Sequence, residues 1–366
     1  MSSGKPRRGS APPGRGIQPL ADDSPAAAER ASGEPSAARA ASTTPSGTRK
    51  TKTNPSSRAA APPARAAAAS STVTGADIPA TAPRLGVRKT YKLYVGGGFP
   101  RSESGRTYPV HAARGGELLA WAAWGSRKDV RDAVVAARGA VGKWAGATAY
   151  NRGQVLYRVA EMIEGRAGQF AEEIVAAEGV SAAAARRTVA AVIDRWVWYA
   201  GWPDKVAQVA GAANPVAGPY FNFSVPEPTG VVAVVAPGES SLLGLASVVA
   251  PVIATGNTAV VVASEGRPLP AITLSEVLAT SDVPGGVVNV LTGRAAELAP
   301  VLAGHYDVNA IDLTGVPASG RAELERLAAS NVKRVFCAED DWAAPPTPRR
   351  MLAFLETKTV WHPVGI

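Results

Sequence analysis

The sequence predicts an α/β fold: a doubly wound parallel sheet with flanking helices, preceded by a β-hairpin and helices. Two observations carry this. Val231–Val235 is an unbroken apolar run of strand length, as expected of a strand covered on both faces. From there to Cys337, short β-type runs alternate strictly with helical stretches. Such alternation implies parallel strands with helices on both sides.

Residues 1–84 stand apart. They are mostly Ala, Pro, Ser, Gly and Arg, with isolated aliphatic residues such as Ile17, Leu20, Val73 and Ile78. So little apolar surface cannot offset about 1–2 kcal/mol of backbone entropy per residue, so a disordered N-terminal tail is expected. Within it twelve Lys and Arg stand against five Asp and Glu, which accounts for most of the net charge of +9. The densest cluster is only Arg49, Lys50 and Lys52. A solubilising or tethering extension is therefore favoured over a nucleic-acid-binding arm, whose affinity would fall steeply with salt. No apolar run of signal-peptide length follows the first basic residues, and nothing approaches the roughly 18 apolar residues of a membrane span. A single cysteine, Cys337, excludes an internal disulfide and fits a reducing cytoplasm.

The folded part is expected over 85–338. Thr90–Val95 and Thr107–Val110 are predicted to pair as a hairpin across Gly96-Gly97-Gly98. Ser126 is placed to cap the first helix, with Asp129 three residues on reaching back. Apolar spacing predicts one long helix from about Tyr150 to Ala177 and another from about Ala182 to Tyr199. The aromatic cluster Trp196, Trp198 and Tyr199 is assigned to core packing. Phe221, Phe223 and Val225 alternate with polar residues, as in a half-exposed strand. Then come helix Leu242–Thr255, strand Ala259–Ala263, helix Pro270–Thr280 and strand Val287–Leu291. Helix Ala295–Ala303, strand Asn309–Leu313, helix Ala318–Ala329 and strand Lys333–Cys337 complete the alternation. Residues 339–350 form a proline-rich linker, and 351–366 hold one last β-type segment, Met351–Trp361. A lone strand after a linker must pair with something, in this chain or in a neighbour.

YKLYVGGGFPRSESGRTYPV, PEPTGVVAVVAPGESSLL, GNTAVVVASEGRP, VPGGVVNVLTG and HYDVNAIDLTGVPASGR follow one another in the order and spacing of the aldehyde dehydrogenase superfamily. The sequence resembles that family from residue 90 to about 337. FLETKTVWHP, Phe354 to Pro363, is similar to its closing strand. The resemblance implies a Rossmann-like, NAD-binding-type domain. It also implies that the second α/β domain, which carries the family's nucleophilic cysteine, is missing, because fewer than 20 residues separate Cys337 from the last segment.

Aldehyde oxidation of this kind needs a thiolate, oxyanion donors, a nicotinamide and a carboxylate to activate water. Cys337 matches a structural strand position and has no base beside it. Glu239 stands where the family has its oxyanion asparagine, and a carboxylate there repels a developing alkoxide. Val262 replaces the ribose-binding lysine, whereas Glu265 keeps the acid three positions later. In the phosphate turn Val316 replaces a serine, while Thr314, Gly315 and Gly320 remain, the glycines allowing close approach or positive φ. These losses cost about 2 kcal/mol of dinucleotide affinity, so no cofactor, or at most weak NAD(P) binding, is expected. Ala338 falls at the general-base glutamate. Moving Glu339 into that register would turn it to the opposite face. His111, His305 and His362 are too far apart in sequence to suggest a metal site.

The sequence therefore reads as a non-catalytic subunit that assembles with a full-length aldehyde dehydrogenase or with itself. Its C-terminal oligomerisation strand supplies Phe354, Leu355, Thr359, Val360 and Trp361, beside Phe221 and Phe223. The alternatives are an NAD(P)-dependent oxidoreductase active only with a partner subunit, and a nucleic-acid-associated protein acting through the tail.

Overall fold

The computed structural model describes residues 86–365. The expected tail, residues 1–84, lies outside them. A small sheet comes first: β1 (Thr90–Tyr91), β2 (Thr107–His111) and β3 (Leu118–Ala123), in the order β1-β3-β2. β1 runs parallel to β3 and β2 antiparallel to it. The hairpin expected between Thr90–Val95 and Thr107–Val110 is thus corrected: the antiparallel partner of β2 is β3. After Tyr91 the chain turns inward, burying Leu93 and Tyr94. Tyr94 exchanges backbone hydrogen bonds of 2.9 and 2.7 Å with Val290.

Helix α1 (Arg127–Ala145) opens on the expected capping box. The Ser126 hydroxyl accepts from the Lys128 and Asp129 amides, and the Asp129 carboxylate accepts from the Ser126 amide. The single helix expected over Tyr150–Ala177 is two, α2 (Ala149–Glu164) and α3 (Ala167–Glu178), separated at Gly165 and Arg166. The apolar stripe hid the break because Val159, Ile163, Phe170 and Ile174 all face the same core. Helix α4 (Ala182–Ala200) buries Trp196 and Tyr199 as expected. Three elements follow: α5 (Val206–Ala210), β4 (Ala212–Asn214) and β5 (Tyr220–Pro228).

The main sheet is built from β6 (Val231–Val235), α6 (Leu243–Ala254), β7 (Thr258–Val262), α7 (Leu269–Ala279), β8 (Val288–Leu291), α8 (Ala295–Ala303), β9 (Ala310–Asp312), α9 (Ala318–Ala329) and β10 (Arg334–Phe336). All neighbours are parallel, in the order β10-β9-β6-β7-β8. Alternate side chains of β6 enter opposite cores. Val232 and Val234 pack with α2–α4, α6 and α7 on one face. Val231, Ala233 and Val235 pack with α1, α8 and α9 on the other. This is the doubly wound arrangement that the uniformly apolar strand required.

The last segment begins as a helical turn, α10 (Arg349–Ala353), which corrects the β reading of Met351–Ala353; Met351 is fully buried. β11 (Leu355–Pro363) then pairs antiparallel with β5 of the same chain, from Leu355 opposite Pro228 to Pro363 opposite Tyr220. Phe354 and Leu355, expected at an assembly surface, are interior, and the Phe354 ring lies 5.8 Å from that of Phe336. The side chain of Asn257, itself fully buried, fixes this entry by donating to the Phe354 carbonyl at 2.8 Å.

Arg350 is carried into the interior by α10. Its guanidinium donates to the carboxylates of Asp312 and Asp340 and to the Thr314 hydroxyl, 3.1 Å away. It also lies 4.7 Å over the Phe336 ring. Asp312 is wholly buried, and there it also accepts from the Thr314 amide and hydroxyl at 3.0 and 2.6 Å. Breaking one side of such a pair strands a buried charge. Asp312→Ala is expected to cost about 3–5 kcal/mol in urea unfolding, and Asp312→Leu combined with Arg350→Met to recover most of that. A single-variant loss below about 1 kcal/mol would match an exposed ion pair instead.

Candidate functional site

Chain order reverses direction in the main sheet between β6 and β9, since β7 and β8 lie to one side and β9 and β10 to the other. In open α/β sheets the crevice outside the carboxyl ends of the strands at such a point is where ligands bind. Here its walls are the turn after β6, Ala236–Leu242, and the turn after β9, Leu313–Pro317. The two turns pack tightly. A Cβ on Gly315 would lie 2.2 Å from the Ala236 carbonyl oxygen, and the Gly315 amide donates to Val235 at 3.1 Å.

Residues 337–348 run from β10 to α10 across this end of the sheet, as a strap. The Trp342 indole N–H donates to the Glu239 carboxylate at 2.8 Å, and the ring packs against Gly244 at the start of α6. Arg195 of α4 reaches up to donate to the Trp342 and Ala344 carbonyls at 3.0 and 2.9 Å, and to the Ser247 hydroxyl at 2.8 Å. Glu239 is held from behind as well, its carbonyl accepting from Arg267 at 2.7 Å. The Glu239 carboxylate is thus a structural acceptor for the strap. Beneath the strap lies a polar cavity of about 270 Å³, walled in part by Arg195, Tyr199, Asp340 and Arg350. Burial pushes the Tyr199 phenol up to about 12, so it stays protonated at neutral pH.

Of the four residues assigned to cofactor binding, two line one slot and two are engaged by other side chains. Gly315 and Gly320 line an apolar slot of about 290 Å³ between α8 and α9, with Ala299, Val316 and Leu324. That is just below the range for small-molecule pockets, roughly 300–1,000 Å³. The Thr314 hydroxyl is turned away, engaged with Asp312 and Arg350. Glu265 sits on the surface, 3.6 Å from Arg294, whose guanidinium stacks on Trp124. Neither Gly315 nor Gly320 has positive φ, so close approach, not backbone handedness, explains Gly315. Val262 is fully buried within β7.

Cys337 follows β10, half-buried, with Sγ 3.9 Å from the Leu313 carbonyl oxygen. Burial raises its thiol above the usual range. Its charged neighbours are Arg321, Asp312, Glu325 and Arg350, none of them an imidazole. Ala338 is buried and Glu339 points to solvent. Among the described residues no three His, Cys, Asp or Glu side chains converge as metal ligands, and no helix is long and apolar enough to cross a membrane.

Sequence reasoning missed the residues that shape this crevice: Arg195, Asp312, Trp342 and Arg350. One signal was available. Asp312 is a lone acid in an otherwise apolar strand, and a buried carboxylate demands a cation.

The family model described as "Aldehyde dehydrogenase family" matches residues 99–338. A mitochondrial aldehyde dehydrogenase of Arabidopsis thaliana, family 2 member B4, is 34% identical over 67% of this chain and 45% of its own length. Human retinal dehydrogenase 2 is 32% identical, over 70% and 50% respectively. Among solved structures, the NAD+ complex of an aldehyde dehydrogenase from Bacillus cereus superposes with a TM-score of 0.64 at 26% identity, covering 68% of this chain and 50% of that one. The chain spans about half the length of the curated relatives it matches.

The Cys337 environment predicts slow alkylation. The iodoacetamide rate at pH 7 should fall below that of a free thiol, with its pH midpoint above the ordinary value of about 8.5. A midpoint below 7 would mark an activated nucleophile.

Proposed function

The chain belongs to the aldehyde dehydrogenase family, and from that premise we propose that it is a catalytically silent member whose role is assembly, pairing with a complete aldehyde dehydrogenase subunit. In this reading the family's cysteine-bearing domain has been excised internally, and residues 339–350 replace it between a cofactor-type domain, 85–338, and an assembly strand, β11. The observation that carries the proposal is the strap: Glu239, at the oxyanion position, is committed to Trp342, so the crevice is closed by the chain itself.

Cofactor binding follows the same logic. The Bacillus cereus relative was solved with NAD+. In this chain the slot between α8 and α9 has room for less than a dinucleotide, Val262 offers no donor, and Thr314 is spoken for. These residues do not fit NAD(P), and binding is at most weak. The lone, half-buried thiol suits a reducing cytoplasm.

Assembly uses the sheet ordered β11-β5-β4. β11 is an edge strand of nine residues whose outer side is unpaired among the described residues, and long exposed edges template pairing with another chain. Tyr220 and Trp361 stack edge-to-face on one side of this sheet at 5.8 Å, and both are about half exposed. Phe221 and Phe223 sit on the other side with Val360, and Thr359 bonds Ser224 across the strands.

The purified full chain should show no NAD-dependent oxidation of propanal or benzaldehyde. When expressed at native level it should co-purify with a complete aldehyde dehydrogenase, and Tyr220→Lys with Trp361→Lys should abolish that association. A monomer found alone, or measurable turnover, would refute the proposal.

A further inference from the structure

Away from the crevice, the first turn of α1 faces the end of α8 across a hollow of about 780 Å³. Arg127, Lys128 and Arg131 line one wall, His305 and Tyr306 the other. The placement of the cations is costly. Arg127 and Lys128 lie in the first turn of α1 and meet the positive end of its dipole, and these two and Arg131 also repel one another. Among the described residues none of the three side chains forms an ion pair or a hydrogen bond that would offset this. The one carboxylate in the lining, Glu103, accepts from the Ser126 hydroxyl at 3.0 Å. Asp129 is buried and occupied by the capping box and by Ser102.

The opposite wall lies in the same positive field. After burial, the influences that push the His305 imidazole below its usual pKa are Lys333, Arg131 and Arg138, opposed only by Asp307. His305 Nδ1 lies 3.2 Å from the Asp307 amide, which it accepts from, so the neutral ring presents Nε2–H as a donor. Tyr306 at the rim is 77% exposed. The Lys128 and Asp129 amides are already capped by Ser126, so an anion here would meet mainly side chains.

We propose that this hollow binds a small anion carrying two or more phosphate groups, held by Arg127, Lys128 and Arg131 with His305 as a further donor. A ring attached to the phosphates would rest on Tyr306. The site is separate from the slot between α8 and α9, sharing only Pro300 with it. It does not depend on whether the chain is catalytic or assembles.

Calorimetric titration of the full chain with inorganic tripolyphosphate and, separately, with ATP tests this. Tripolyphosphate has no ring to enter the α8–α9 slot, and it is expected to bind saturably, one per chain. The triple variant Arg127→Gln, Lys128→Gln, Arg131→Gln should weaken it at least about tenfold, as expected for loss of charge-assisted contacts. Without ligand the variant should unfold no lower than the parent, because the cations oppose the helix dipole. Tighter binding of ATP that is lost in Tyr306→Ala assigns the site to a nucleotide; equal affinity assigns it to bare polyphosphate. Absence of saturable binding by either probe overturns the proposal. So does a triple variant that binds as the parent does, which would move the binding elsewhere, to the basic residues 1–84 among other places.

Discussion

Arg350 brings a full positive charge into the interior, and the chain can hold it there only because Asp312 meets it from the end of β9. Almost everything at the carboxyl end of the sheet hangs on this pair. It anchors α10, and through α10 the entry of β11 against β5. Through Asp340 it pins the strap, and through Thr314 it fixes the turn after β9. Replacing such a pair by apolar residues is often neutral, whereas breaking it is costly. Its worth here is positional: it determines which way the chain leaves the sheet after β10.

That exit shapes the chemistry. A doubly wound sheet offers its crevice at the switch between β6 and β9, and a polar loop wall would leave it open to a ligand. In this chain Trp342 lies on the start of α6, its indole held by Glu239 and its carbonyl by Arg195. Two groups that stood as candidates for catalysis and for cofactor contact, Glu239 and Thr314, are therefore absorbed into packing. The proposed silent role follows from that absorption more than from any single substitution.

The sheet was legible because buried parallel strands leave an unmistakable pattern. Val231–Val235 and Ala259–Val262 are apolar on both faces, and α8 and α9 fall on the residues expected. Elements set by long-range contacts were not. β3, Leu118–Ala123, has no polar alternation to mark its exposed side, so β2 was given the wrong partner. The α2–α3 break is invisible in periodicity because both helices face one core. Met351 belongs to a helical turn because Arg350 must reach Asp312, a demand no local propensity records. At the site, the close approach that Gly315 permits is taken up by the Ala236 carbonyl pressed against it. Cys337, expected within the last strand, lies just beyond β10 and is half-buried, because β10 is only three residues long.

Trp342 reports directly on the crevice, so titrating NAD+ into the full chain while following tryptophan fluorescence is the most direct test that the strap closes it. The account predicts no saturable quenching up to about millimolar NAD+, a ceiling of roughly −4 kcal/mol of binding free energy. Saturable quenching at micromolar NAD+, about twice that free energy, would mean that the crevice still receives a dinucleotide, and would contradict it.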